Sequence, residues 1–123
     1  NAALGCAQME SLPVFLEEKR RLATAYEKAF EGLTGAKFFR EPKHGTSNYW
    51  LNALVLEPAH AHRRDELLEL TNSQGIMTRP CWALMHHLPM FRDAPRSDLS
   101  CAESLDARIV NIPSSPKLGA RLG

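Results

Sequence analysis

The chain has 123 residues, 44% of them apolar and 24% charged, with a formal net charge of +1. That length suits one domain able to bury roughly two thirds of its unfolded surface. The near-balance of charge makes no electrostatic case for nucleic acid or an anionic membrane as the main partner. No apolar run approaches the roughly 20 residues that span a bilayer, and no secretory signal pattern is present. Cys6, Cys81 and Cys101 form no CxxC pair. Free thiols in a reducing, cytoplasmic setting are the expectation.

In chain order, residues 2–10 read as a helix rich in small residues, which let another backbone approach closely. The text is helix-forming from Asn1 with no cap before it, so the expectation is a cut within a helix and a missing upstream segment. Ser11 and Pro13 predict a break and a fresh start. A second helix is predicted over 13–31, its stripe made by Phe15, Leu22, Tyr26, Ala29, Phe30 and Leu33. Glu17 and Arg21 lie four apart on the outer face, and Gly32 and Gly35 end the helix.

Ala36 to Arg40 reads as a short strand and 41–47 as a turn-rich loop. Residues 48–57 predict a central strand, with Tyr49, Leu51, Ala53 and Val55 on one face and Trp50, Asn52, Leu54 and Leu56 on the other. Pro58 ends it. A helix over 61–73 points Leu67, Leu68 and Leu70 inward, and a strand over 76–79 stops at Pro80. Residues 81–97 read as loop. Asp98 caps a helix with Leu99, Ala102 and Leu105 inside. A strand over 108–112 ends at Pro113, and 114–123 reads as a tail. The expected fold class is α+β, one small and largely antiparallel sheet covered by helices.

A zinc site could be forced from His60, His62 and Cys81, but the spacing matches no familiar ligand set, and surface histidines at a helix start explain it better. No G-x-S-x-G elbow, P-loop or G-x-G-x-x-G occurs. Asp65 and Glu66 read as a solvated helix face. The segment Thr78 to Phe91, TRPCWALMHHLPMF, is richer. Arg79 suits phosphate or carboxylate, while Trp82 and the histidines His86 and His87 suit a sugar. The structural alternative is a loop packed onto the core through Trp82 and Phe91.

Three segments resemble the DegT-type sugar aminotransferases. NAALGCAQME is similar to that family's A-A-[IL]-G-x-x-Q-[LM] helix through Ala2, Ala3, Leu4, Gly5, Gln8 and Met9. TRPCWALMHHLPMF is similar to its R-P-x-[FY]-x-P-L-H-x-x-P-x-[FY] loop through Arg79, Pro80, His86, Pro89 and Phe91, with Trp82 at the aromatic position. CAESLDARIVNIPSS is similar to its closing A-E-x-L-x-x-x-[IV]-[IL]-x-[IL]-P segment through Ala102, Glu103, Leu105, Ile109, Val110, Ile112 and Pro113. The three occur in the family's order and span residues 2–115.

The resemblance implies the C-terminal small domain of a fold-type-I enzyme that uses pyridoxal phosphate. Residues 1–10 would be the remnant of an interface helix, 11–113 the small domain and 114–123 the tail, with a large cofactor domain upstream. Such an enzyme passes an amino group, from a donor such as glutamate, to a 4-keto sugar nucleotide in surface-polysaccharide synthesis, and works as a homodimer. The wording NYWLNALVLE and TRPxWxLxHxLPM resembles the branch acting at C4 in bacillosamine- or legionaminic-acid-type sugars. Arg79, Trp82 and His86 are the implied substrate contacts.

Two departures stand within these motifs: Leu84 replaces a usual proline, and Trp50-Leu51 stands where His-Leu is frequent. The family's cofactor lysine lies in a Ser-x-x-x-x-Lys segment, and Lys19, Lys28, Lys37, Lys43 and Lys117 have no such context. No cofactor is therefore expected on this chain alone. The rival expectation is a free-standing α+β binding module.

Overall fold

The computed structural model describes residues 2–122. Helix α1 runs unbroken over Ala2–Ala29, with Pro13 inside it. The expected break at Ser11 and Pro13 does not occur. Proline removes one N–H, whose acceptor would be the Met9 carbonyl. Met9 is exposed, so water can serve that carbonyl and the helix continues. Ser11 Oγ bonds back to the Ala7 carbonyl at 3.4 Å. Only the second half of α1 meets the core, through buried Leu22 and Ala23. Gly32 and Gly35 take φ of 74° and 88° in the turn that follows, where side chains are disfavoured.

The sheet contains β1 (Ala36–Phe38), β2 (Asn52–Leu56), β3 (Arg79–Pro80) and β4 (Ile109–Ile112), in the order β1-β2-β4-β3. Every pairing is antiparallel, so the α+β class with a small antiparallel sheet under helices holds. In β2 the side chains of Asn52, Leu54 and Leu56 are buried and Ala53 and Val55 half-buried, the period-2 pattern of a strand covered on one face. Leu54, Val110 and Ile112 form the core, packed against Tyr26, Phe30, Phe38, Leu67 and Leu68.

β2 is shorter than the sequence predicts. Asn52 pairs with Ile112, and the next residue beyond Ile112 is Pro113, which has no N–H to extend the ladder. Tyr49 takes φ of 45°, which breaks the extended course before the strand. Trp50, expected within a central strand, is instead 66% exposed. β3 also departs from expectation: it includes Pro80 instead of stopping before it, pairing Arg79 with Asn111 and Pro80 with Val110. An edge strand tolerates a proline because one side makes no ladder.

A 3-10 turn over Pro58–Arg63 precedes α2 (Arg64–Ser73), so His60 and His62 lie on the turn and not on the helix. α3 (Ser100–Asp106) follows Asp98, whose carboxylate accepts from Ser100 N–H at 3.2 Å and Ser100 Oγ at 2.7 Å. Residues expected to form a tail include α4 (Pro116–Ala120). It packs on α1, and Gly119 is buried there. No described helix is long and apolar enough to cross a membrane.

Candidate functional site

The chain leading into the Arg79 segment is clamped. Thr78 is buried, its hydroxyl 2.5 Å from the Thr71 hydroxyl. Asn72 Nδ2 donates to the Thr78 carbonyl at 3.0 Å and to its Oγ1 at 3.1 Å. On the far side Asn111 Nδ2 donates to the Pro80 carbonyl at 3.1 Å. These contacts fix α2, β3 and β4 to one another and hold Arg79 on the sheet edge.

A second clamp presents Trp50. Arg20 makes two bonds to the Glu41 carboxylate, at 2.5 and 3.2 Å, and one to the Ser47 carbonyl at 2.7 Å. Ser47 N–H donates to Glu41 at 2.6 Å, and Arg20 lies 5.6 Å from the Tyr49 ring centroid, within cation–π range. The Arg20 and Ser47 hydrogen bonds hold the Glu41 carboxyl below its ordinary range. Lys19 Nζ donates to the carbonyls of Tyr49, Trp50 and Ser114 at 3.3, 3.1 and 2.7 Å. Burial lowers the pKa of that amine.

The two clamps meet at the tryptophans. Trp50 and Trp82 stack with centroids 5.9 Å apart. Leu51, Arg79, Pro80, Cys81, Trp82 and Asn111 line an open hollow of about 320 Å³. Arg79 and Trp82 are thus brought together, and Trp82, at 66% exposure, does not pack onto the core. Burial and nearby Asp106 push the Cys81 thiol up, which disfavours the nucleophilic thiolate. An arginine fork beside exposed indole faces can hold an anionic group and the apolar face of a sugar ring.

His86 is placed differently. It lies on a 3-10 turn over Met85–His87, and its Nε2 is 3.0 Å from Glu103 Oε1 on α3. It lines a separate hollow with Leu84, Phe91, Leu99 and Ala102. The sequence marks Trp50 only as a departure within the strand motif, although the turn residues Ser47 and Asn48 before it signal a late strand start. Glu103 carries no signal linking it to His86.

Lysine placement bears on the cofactor that the resemblance implies. Lys19, the half-buried lysine, has its amine committed to three carbonyls, while Lys28, Lys37, Lys43 and Lys117 are exposed. The forced zinc set does not assemble: among the described residues His60, His62 and Cys81 do not converge as a ligand group.

A sequence model of the DegT/DnrJ/EryC1/StrS aminotransferase family matches residues 1–121. The GDP-perosamine synthase of Vibrio cholerae is 30% identical over 118 residues, which is 95% of this chain and 32% of that protein. EpsN of Bacillus subtilis, assigned as a pyridoxal phosphate-dependent aminotransferase, is 31% identical over 121 residues, 95% of this chain and 31% of its own length. The solved structure of Helicobacter pylori PseC, an aminotransferase involved in the biosynthesis of pseudoaminic acid, superposes with a TM-score of 0.85 at 16% identity. That superposition covers 94% of this chain and 32% of PseC, and it supports the fold. The chain therefore spans about a third of the length of these relatives.

Proposed function

The chain belongs to the DegT/DnrJ/EryC1/StrS aminotransferase family, and on that premise we propose that it is the C-terminal small domain of a sugar-nucleotide aminotransferase. The whole enzyme transfers an amino group from glutamate to a 4-keto sugar nucleotide for surface-polysaccharide synthesis, in the C4 branch of the bacillosamine and legionaminic-acid type. It works in the cytoplasm as a homodimer. Pyridoxal phosphate supplies the electron sink for such chemistry when bound. Its binding residues belong to the large domain, and this chain alone is inactive.

The observation that carries the reading is the family match from residue 1 to 121. The shared hollow of Arg79 and Trp82 supports the role of this domain within it. Arg79 binds a phosphate oxygen of the sugar nucleotide through its planar fork. Trp82, extended by Trp50, offers an apolar face to the sugar. His86 is the third contact, its ring held by Glu103. A free-standing binding module does not account for a match of that extent.

The test is amination by the intact protein, produced with the reading frame upstream of Asn1. A 4-keto sugar nucleotide and glutamate should give the amino sugar and 2-oxoglutarate in equal amounts. Arg79→Ala should raise KM for the sugar nucleotide and leave KM for glutamate unchanged. A stably folded intact protein that aminates no nucleotide-linked keto sugar ends the proposal.

A further inference from the structure

We propose that His86, His87 and Glu103 form a binding site for one divalent transition-metal ion of the zinc or cobalt class. Each residue offers one ligand atom, and these atoms all lie within 4.8 Å of one another. A tetrahedral zinc ion with bonds near 2.1 Å needs ligand atoms about 3.4 Å apart. His86 Nε2 and Glu103 Oε1 are already 3.0 Å apart. His87 and Glu103 are exposed, so a rotation of either side chain can close the remaining gap.

The donor set selects the class of ion. Two imidazole nitrogens and one carboxylate suit zinc, cobalt, nickel or copper, whereas calcium and magnesium require mostly oxygen ligands. The His86 and His87 rings lie 4.1 Å apart, tilted by 58°. Arg96, which lines the same hollow, donates to the Arg92 carbonyl at 3.3 Å. Three protein ligands leave a fourth position open to water or another ligand.

The ligands come from two elements: the turn over Met85–His87 and α3. A bound ion would therefore fasten the loop to the helix. The inference does not rest on the sugar-nucleotide reading. An ion would take the place of the His86–Glu103 contact that holds the ring in that reading, whereas His87 has no part in it.

Titration of the 123-residue chain with Co2+, followed by visible absorption and reversed with Zn2+, tests the site. One equivalent should bind. Second-shell changes alone cost about 10- to 100-fold in affinity, so His87→Ala and Glu103→Gln should each weaken binding by at least about tenfold. Both positions are exposed, and circular dichroism checks that the variants fold; if one does not, the other carries the test. His62→Ala should change nothing. No stoichiometric binding by the unmodified chain, equal binding by the folded variants, or loss of binding in His62→Ala would each overturn the proposal.

Discussion

The indole rings of Trp50 and Trp82 stack with centroids 5.9 Å apart and an interplanar angle of 25°, although each residue is 66% exposed. Two large apolar rings held together in solvent contribute little to the core. They do form a firm apolar face beside Arg79, supported by the Lys19 and Arg20 contacts behind Trp50.

Trp82→Ala in the intact protein should therefore separate kinetics from stability. An exposed position shifts unfolding free energy by no more than about 0.5 kcal/mol. An aromatic contact worth about 0.5–1.5 kcal/mol to the sugar should raise KM for the sugar nucleotide about 2- to 12-fold. His86→Asn should likewise raise that KM or lower turnover, and lose no more than about 1 kcal/mol with its contact to Glu103. Steady-state kinetics and thermal melting on the same samples decide it. Large drops in melting temperature with normal kinetics would assign both residues to structure.

Acid should release the loop that carries Trp50. The Glu41 carboxyl is held below its ordinary value of 4.5, chiefly by the Arg20 hydrogen bond and then by Ser47 N–H. A folded-state pKa below the unfolded value gives stability that is fully present above that value and is lost as pH falls through the folded pKa. Tryptophan emission, which reports Trp50 and Trp82, should hold steady from neutral pH to about 5 and change below 4.5. Glu41→Gln should show the released spectrum already at pH 7, without the acid transition. Asp98 is also held low, by Ser100, but it lies at the start of α3. An acid transition of the same size in Glu41→Gln would rule out this anchor.

The strand alternation in 48–57 and the adjacent Leu67 and Leu68 in 61–73 made the sheet and the covering helices legible, because both follow from burial; Leu70, expected inward with them, is instead 54% exposed. The loop at 79–91 was legible as a site by its mixture of Arg, Trp and His. Strand ends were less so. Trp50 fits the buried register of Asn52, Leu54 and Leu56 perfectly well as text. Only the positive φ of Tyr49 and the missing N–H of Pro113 move it into solvent, and the first of these depends on the tertiary clamp of Lys19, Arg20 and Glu41. The Thr78 clamp and the pairing of His86 with Glu103 likewise join elements that no local pattern connects.

The segment 114–123 shows the same limit and supplies the last prediction. Two serines, a proline and a late glycine read as a tail, yet α4 lies against α1 so closely that Gly119 touches the main chain of Glu18. A Cβ at position 119 would fall far inside van der Waals contact distance of the Glu18 carbonyl oxygen. Backbone on both sides of the contact cannot turn aside as a side chain could, so Gly119→Ala must push α4 away from α1. Overpacking of this kind costs about 1–3 kcal/mol. Near this contact Lys19 donates to the Ser114 carbonyl and Ser114 Oγ accepts from Asn52 N–H at 2.7 Å. Displacing α4 should therefore loosen the entry to β2 as well as the C-terminus. Urea unfolding should show a lower midpoint for Gly119→Ala with a nearly unchanged slope, and hydrogen exchange should quicken at Asn52 and along residues 117–122. Gly75→Ala is no control, because Gly75 sits at φ of 76°, but Gly5→Ala is: its Cβ would meet nothing within 4 Å. It should leave the midpoint unchanged or slightly raised. Equal midpoints for Gly119→Ala and the unmodified chain would mean that α4 does not dock on α1 in solution.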